Sequence, residues 1–235
     1  MANWISHLII VDRLLDMGLD LDERGFAVGN IAPDCNAENE DWSQFTPPRE
    51  VTHWMRGESK LTADFEAFYH KYLCDREFGS AEHRAFLWGY YAHLITDVEM
   101  QRFIRDGQRV RNIFDRVKQH PDMRDHIAGM PENFDTIKST FGKRTVANDI
   151  VAQEIEYLRH NPQSRYLTII KRIHDFPDYL DDFPKDAVPR KIRKMTNDDM
   201  SICAPNEFIF CTKLEFSGFL QETTDIIYNR IMEKL

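Results

Sequence analysis

The chain has 235 residues, 42% hydrophobic, 12% aromatic and 29% charged, proportions that bury a core and exclude a disordered or low-complexity protein. Its 39 acidic residues outnumber 30 basic ones for a formal charge of -9, so no broad positive field gathers a phosphate backbone and nucleic acid is not an expected partner. No apolar run reaches the roughly 20 residues that span a bilayer, and MANWISHLIIVDRLLDMG has neither a basic leader nor a small-residue cleavage site, so a cytoplasmic protein without a transmembrane segment is expected.

Trp4, Leu8, Val11 and Leu15 recur at helical spacing and predict a helix over 3–17, with His7 beside the stripe and Gly18 ending it. A short helical segment at 22–28 leads into the turn GNIAPD. Residues 31–57, with three prolines and little periodicity, read as a long loop holding Asp34 and His53. Loops of that length in compact domains are uncommon and often functional.

From Leu61 onward the pattern is helical near 61–73, 80–105, 108–119, 133–141, 145–160 and 163–174, with Asn161 and Pro162 as N-cap and first residue of the last of these. Thr212 and Glu215 form a capping box for a final helix whose inward face is Phe216, Phe219, Leu220, Thr223, Ile227 and Ile231. The best β pattern, ICAPNEFIFCT at 202–212, reads as an extended connector. The basic run Arg190, Lys191, Arg193 and Lys194 reads as a solvated helix face without a role. Cys35, Cys74, Cys203 and Cys211 show no CxxC pair and are expected as reduced thiols. The whole predicts an all-α, single-domain, multi-helical bundle over 1–235, with a long ligand-bearing loop near 31–57.

Within GYYAHLITDVEMQ, residues 89–101, the inward stripe Phe86, Tyr90, His93, Asp97, Met100 and Ile104 includes two polar groups one turn apart. Their burial must be compensated, by a local pair or by a metal ion. Alone, HxxxD is a weak signal. Singly, His7 and His53 read as core histidines satisfied by a carbonyl, and Asp34 as a turn cap. Together, His7, Asp34, His53, His93 and Asp97 supply three imidazoles and two carboxylates, a donor set suited to zinc or a similar divalent cation. The remaining histidines, at 70, 83, 120, 126, 160 and 174, lie in charged surroundings and read as surface residues.

The ordered series HLII, GNIAPD, EVTHW and GYYAHLITD resembles the zinc-dependent phospholipase C family, whose wider superfamily includes zinc-dependent single-strand nucleases. The resemblance is strongest from residue 1 to about 105. It implies that His53, His93 and Asp34 hold one zinc that Asp97 completes or bridges, while His7 and Asp97 hold a neighbouring ion, giving two zinc ions or other divalent metals. It also implies metal-assisted hydrolysis of a phosphodiester, with Asp34 doubling as the base that orients water, and a small phosphoester or lipid headgroup as substrate. Trp42, Trp54 and Tyr90 stand near these ligands and could wall a pocket, although aromatics beside an apolar stripe are more often core residues.

The sequence departs from the family where a third zinc would sit. Gln101 stands four residues beyond Asp97 and no later HxxxD or HxxxE pair follows, leaving only Asp149 or Glu154 as substitutes, and neither is counted in the site. The family's terminal-amine ligand is not expected here, which makes Trp4 a packing residue. The alternative to an enzyme is a non-catalytic metal-binding helical protein that retains these ligands. Oligomeric state leaves no signal in the sequence.

Overall fold

The computed structural model describes residues 3–41, 43–196 and 207–235, and it is 64% helical with eleven α-helices and almost no strand. The all-α class expected from the periodicity is the class observed. Among the described residues no helix is long and apolar enough to cross a membrane.

The centre is α5 (Ala81–Arg105), buried without interruption from Ala85 to Val98. Its start follows from local chemistry: Ser80 accepts from the His83 N–H at 3.0 Å, Glu82 lies in the first turn, and Arg102 and Arg105 face the negative end of the helix dipole. Packed on it are α1 (Trp4–Asp16), α2 (Glu23–Gly29), α4 (Phe65–Tyr72) and α11 (Lys213–Met232). The Thr212 and Glu215 capping box that opens α11 is present as predicted.

The helices α2 and α5 cross with their backbones in direct contact. A Cβ on Gly25 or Gly29 would overlap the carbonyl of Glu82 or Phe86, and one on Gly89 would overlap the carbonyl of Phe26. Glycine at these positions lets two backbones touch. The close approach brings the Asn30 side chain onto the Gly89 carbonyl at 3.2 Å.

A second apolar cluster, around Ile113, Phe114, Ile137 and Phe210, is built by α6 (Gly107–Gln119), α7 (Phe134–Phe141) and the start of α8 (Lys143–His160). From α8, Glu154 reaches across to the first turn of α1, accepting from the Ser6 N–H at 2.9 Å and the Asn3 amide at 2.9 Å. Asp149 accepts from the Phe210 and Cys211 N–H groups at 2.6 and 3.0 Å. Both acids are therefore committed to donors other than a metal, Asp149 to backbone N–H groups and Glu154 to one backbone N–H and two side chains.

Several expectations are corrected. The helix predicted over 163–174 is only α9 (Arg165–Thr168) followed by a 3-10 turn, Ile170–Arg172. Asn161 ends α8, and Ser164 rather than Asn161 caps α9 through the Tyr166 N–H at 3.2 Å. The long segment 31–57 holds a 3-10 turn at Ala32–Asp34, a two-stranded ribbon of β1 (Ala37–Glu38) and β2 (Phe45–Thr46), and α3 (Arg49–Thr52). The connector read at 202–212 falls partly outside the described residues, as does Cys203. Cys35, Cys74 and Cys211 are free thiols.

The basic run lies on α10 (Ala187–Thr196) and is not merely solvated, because Lys191 is buried and both Lys191 and Lys194 pair with Glu38 of the ribbon. Burial alone would raise the Glu38 carboxyl, but the two ammonium groups bring it down to about 2. A carboxylate depressed in the fold stabilises it above the unfolded value near 4.5 and loses that contribution as pH falls toward 2. Urea unfolding of wild type and Glu38→Gln should therefore diverge at neutral pH and converge in acid. Curves that keep a constant separation down to pH 2 would show that the clamp contributes nothing.

Candidate metal centre

Four elements deliver the five predicted donors to one place. His7 is the fourth residue of α1, its N–H bonded to the Asn3 carbonyl at 3.2 Å. Asp34 closes the 3-10 turn that follows α2, where Pro33 fixes the backbone. His53 ends α3, with its N–H on the Arg49 carbonyl at 2.8 Å. His93 and Asp97 share one face of α5 by their four-residue spacing.

The side chains converge in a nearly closed chamber. His7, His53, His93 and Asp97 are at most 1% exposed, and Asp34 at 23% is the member open to solvent. The His7 and His93 rings stack at 4.0 Å with a 2° interplanar angle. His53 Nε2 lies 3.1 Å from Asp34 Oδ1 and 3.5 Å from Asp97 Oδ2, and His93 Nε2 lies 3.2 Å from Asp97 Oδ2. His7 Nε2 is farther off, 3.9 Å from Asp97 Oδ1. Donors held about 2.0–2.1 Å from one tetrahedral zinc stand about 3.3 Å apart, so three of these four separations have the spacing of a shared ligand shell.

The hydrogen-bond pattern carries the same implication. His93 Nδ1 meets the Asn30 carbonyl at 2.7 Å, and a carbonyl only accepts, so Nδ1 donates and the neutral ring leaves a lone pair at Nε2. That lone pair faces a carboxylate oxygen. His53 Nδ1 likewise meets the Arg49 carbonyl at 3.1 Å, leaving Nε2 toward Asp34. His7 Nδ1 and Nε2, His93 Nε2 and Asp97 Oδ1 are buried without any hydrogen-bond partner. Facing acceptors with nothing between them are costly to bury unless a proton or a cation joins them.

Sequence reasoning missed Lys60. Its ammonium pairs with Asp97 and stands 3.7 Å from Asp34, although only 8% of the residue is exposed. In the series GESKLT it has no apolar periodicity to mark it, and it enters the chamber only because the 3-10 turn Lys60–Thr62 packs on α5. Asn30 was visible in the turn GNIAPD, but its carbonyl contact with His93 required the glycine crossing to be seen.

Charge states follow from these neighbours. Burial, then the adjacent His93, holds His7 well below the ordinary imidazole value, and burial with Lys60 lowers His53. Burial opposes ionised carboxylates, yet the Lys60 ammonium overrides it at Asp34 and Asp97 and keeps both acids well below the usual range. Burial would lower Lys60, but Asp97 and Asp34 raise it. Neutral imidazoles beside ionised carboxylates are the forms that ligate metals.

Two donor groups emerge, His7 with Asp34 and His93, and His53 with His93 and Asp97, each with ligand atoms within 4.8 Å of one another and each able to hold a metal ion. His93 belongs to both, but its Nδ1 is engaged, so it offers a single lone pair. Gln101, instead of joining the chamber, accepts from Arg105 at 2.6 Å. Tyr90 is a core residue stacked on Phe68 at 4.6 Å, and Trp54 packs edge-on against the same ring at 5.5 Å. Trp42 lies outside the described residues. The other six histidines are exposed or half-buried, as expected.

Comparison with curated proteins finds no match, and comparison with solved structures finds none. The family model of zinc dependent phospholipase C matches residues 6–99, a stretch that carries all five donors, and over it the chain is similar to that family.

Proposed function

We propose that this chain is a metal-dependent phosphoric ester hydrolase of the phospholipase C type, a phosphodiesterase whose helical bundle works as one domain. The observation that carries this reading is the buried chamber in which the lone pair of His93 Nε2 and the unpartnered Asp97 Oδ1 and His7 nitrogens face one another. Zinc suits the donor set of three imidazoles and two carboxylates. His53, His93 and Asp97 would hold a first ion, with Asp34 beside them, and His7 is the donor left for a neighbouring ion.

A bound zinc supplies Lewis-acid stabilisation of charge on phosphoryl oxygens and makes water acidic enough to attack near neutral pH. The chain's own residues do the rest. Asp34, ionised and the member open to solvent, is placed to accept the attacking water's proton. Asn30 and Arg49 carbonyls fix the tautomers of His93 and His53. Lys60 supplies a fixed positive charge beside both carboxylates, where it can offset negative charge gathering on the ester oxygens. A small phosphoester or a lipid headgroup is the substrate proposed, and nucleic acid is disfavoured by the acidic balance.

One observation favours the non-catalytic alternative: Lys60 already neutralises Asp97 and approaches Asp34, so these acids do not need an ion to be tolerated. Bound metal per chain and hydrolysis of bis(p-nitrophenyl) phosphate decide between the two. The enzyme reading expects stoichiometric zinc in wild type, and loss of zinc together with a fall of at least about a hundredfold in kcat/KM in His93→Ala. Full zinc loading with no turnover of any phosphoester would replace it by the metal-binding reading.

A further inference from the structure

We propose that the cavity between α7, α8 and the C-terminal end of α5 is an anion-binding subsite that selects a substrate carrying a negative charge beyond its scissile phosphodiester. A cavity of about 370 Å³ is lined by Arg49, Arg105, Arg109, Lys138 and Lys143 and by no carboxylate, in a chain whose formal charge is -9. Acidic residues outnumber basic ones overall, so an all-basic lining is a local inversion of sign.

The cavity adjoins a second hollow that Lys60 lines together with Glu50 and Glu58. That hollow, of about 510 Å³, shares Arg49, Gln101 and Arg105 with the cavity, and its Lys60 touches Asp97. One ligand lying across both hollows would thus place one anionic group near the donor cluster and another among the basic side chains.

Two of these cations, Lys138 and Lys143, stand without a paired carboxylate among the described residues, while Arg105 shares its charge with the exposed Asp135 at 3.7 Å. Partial burial lowers Lys143, and so do the positive charges of Arg49, Lys138 and Lys60, which places four cations within electrostatic reach of one another. Arg109 is only 6% exposed and its Nε has no hydrogen-bond partner, although its other nitrogens reach the Ile104 and Phe210 carbonyls. Like charges gathered at the rim of a concave site repel one another until an anion arrives.

The floor narrows the ligand further. Met100, Ile104, Val146 and Ile150 are buried and line the same cavity, so it offers apolar surface beneath its positive rim. The shared chemistry is a phosphate or carboxylate on an organic body, which a lipid headgroup or a soluble phosphoester could supply. A quaternary ammonium headgroup meets the wrong sign of charge.

This inference rests on the hydrolytic reading only for calling the ligand a substrate, so binding is measured on the full chain stripped of metal. The probes are dihexanoyl phosphatidic acid, dihexanoyl phosphatidylcholine and glycerol 3-phosphate, titrated by calorimetry at low and high salt. Phosphatidic acid should bind at least about tenfold more tightly than the choline lipid, and the advantage should shrink with added salt. It should vanish in Lys138→Glu/Lys143→Glu, whose positions are exposed and outside both apolar clusters. Glycerol 3-phosphate binding as tightly as the lipid identifies a soluble phosphoester as the source, and weaker binding identifies the lipid. Equal affinity for the two lipids, or a preference that survives in the double variant, overturns the proposal. Zinc-loaded wild type that hydrolyses nothing yet keeps the preference removes the hydrolytic reading and leaves the anion site. Turnover without the preference removes the anion site alone.

Discussion

Asp97→Ala is expected to lower the unfolding free energy of the metal-free protein by about 3–5 kcal/mol, the usual cost of leaving one member of a buried ion pair behind. The stranded charge is Lys60, 8% exposed, whose nearest remaining carboxylate is Asp34 at 3.7 Å. Lys60→Met should be costly for the converse reason, because it leaves Asp97 ionised among neutral imidazoles. The double variant removes both charges and should recover most of the loss, a coupling that a thermodynamic cycle reads directly from urea denaturation. If the two single losses simply add in the double variant, Lys60 and Asp97 do not form the pair described.

The second large effect concerns backbone rather than charge. Gly89→Ala should destabilise by about 3 kcal/mol or more, because the added methyl overlaps the Phe26 carbonyl and neither backbone can yield without moving the helix axis. Zinc binding should fall with it, since the α2 and α5 crossing holds the Asn30 carbonyl on His93 Nδ1. Gly218→Ala is the control: a Cβ there, in the second turn of α11, meets nothing within 4 Å. Alanine at that position should be neutral or stabilising by up to about 1 kcal/mol, the helix-propensity gain alone. Equal losses at the two sites would refute the close-crossing account.

Much of the site was legible because it is written in short-range patterns. The spacing of His93 and Asp97 places both on the inward stripe whatever the tertiary fold, and GNIAPD and EVTHW announce their turn and short helix locally. The helix α5 was found by its periodicity and α11 by the capping box at its start, both local signals. Lys60 was not legible because nothing within a few residues of it signals burial; its position depends on where a 3-10 turn lands against a helix some 37 positions away. The basic run on α10 failed for a related cause, since its partner Glu38 lies 153 residues earlier in the chain than Lys191. The region 163–174 carries a helical pattern, but Ser164 and the turn at Ile170–Arg172 break it into pieces that local periodicity could not separate. Where long-range pairing decides the outcome, local reading gives composition without geometry.

The lysine in the chamber bears on the order in which the protein matures. Many small metal-dependent folds must wait for their ion, because unshielded ligands push the chain open until something positive arrives. Here the polypeptide brings its own counter-charge, so under the proposed metal-dependent reading assembly can finish first and loading can follow as a separate event. The unfolding free energy of the ion-free chain, already needed for the Asp97 cycle, is the quantity on which this sequence of events depends.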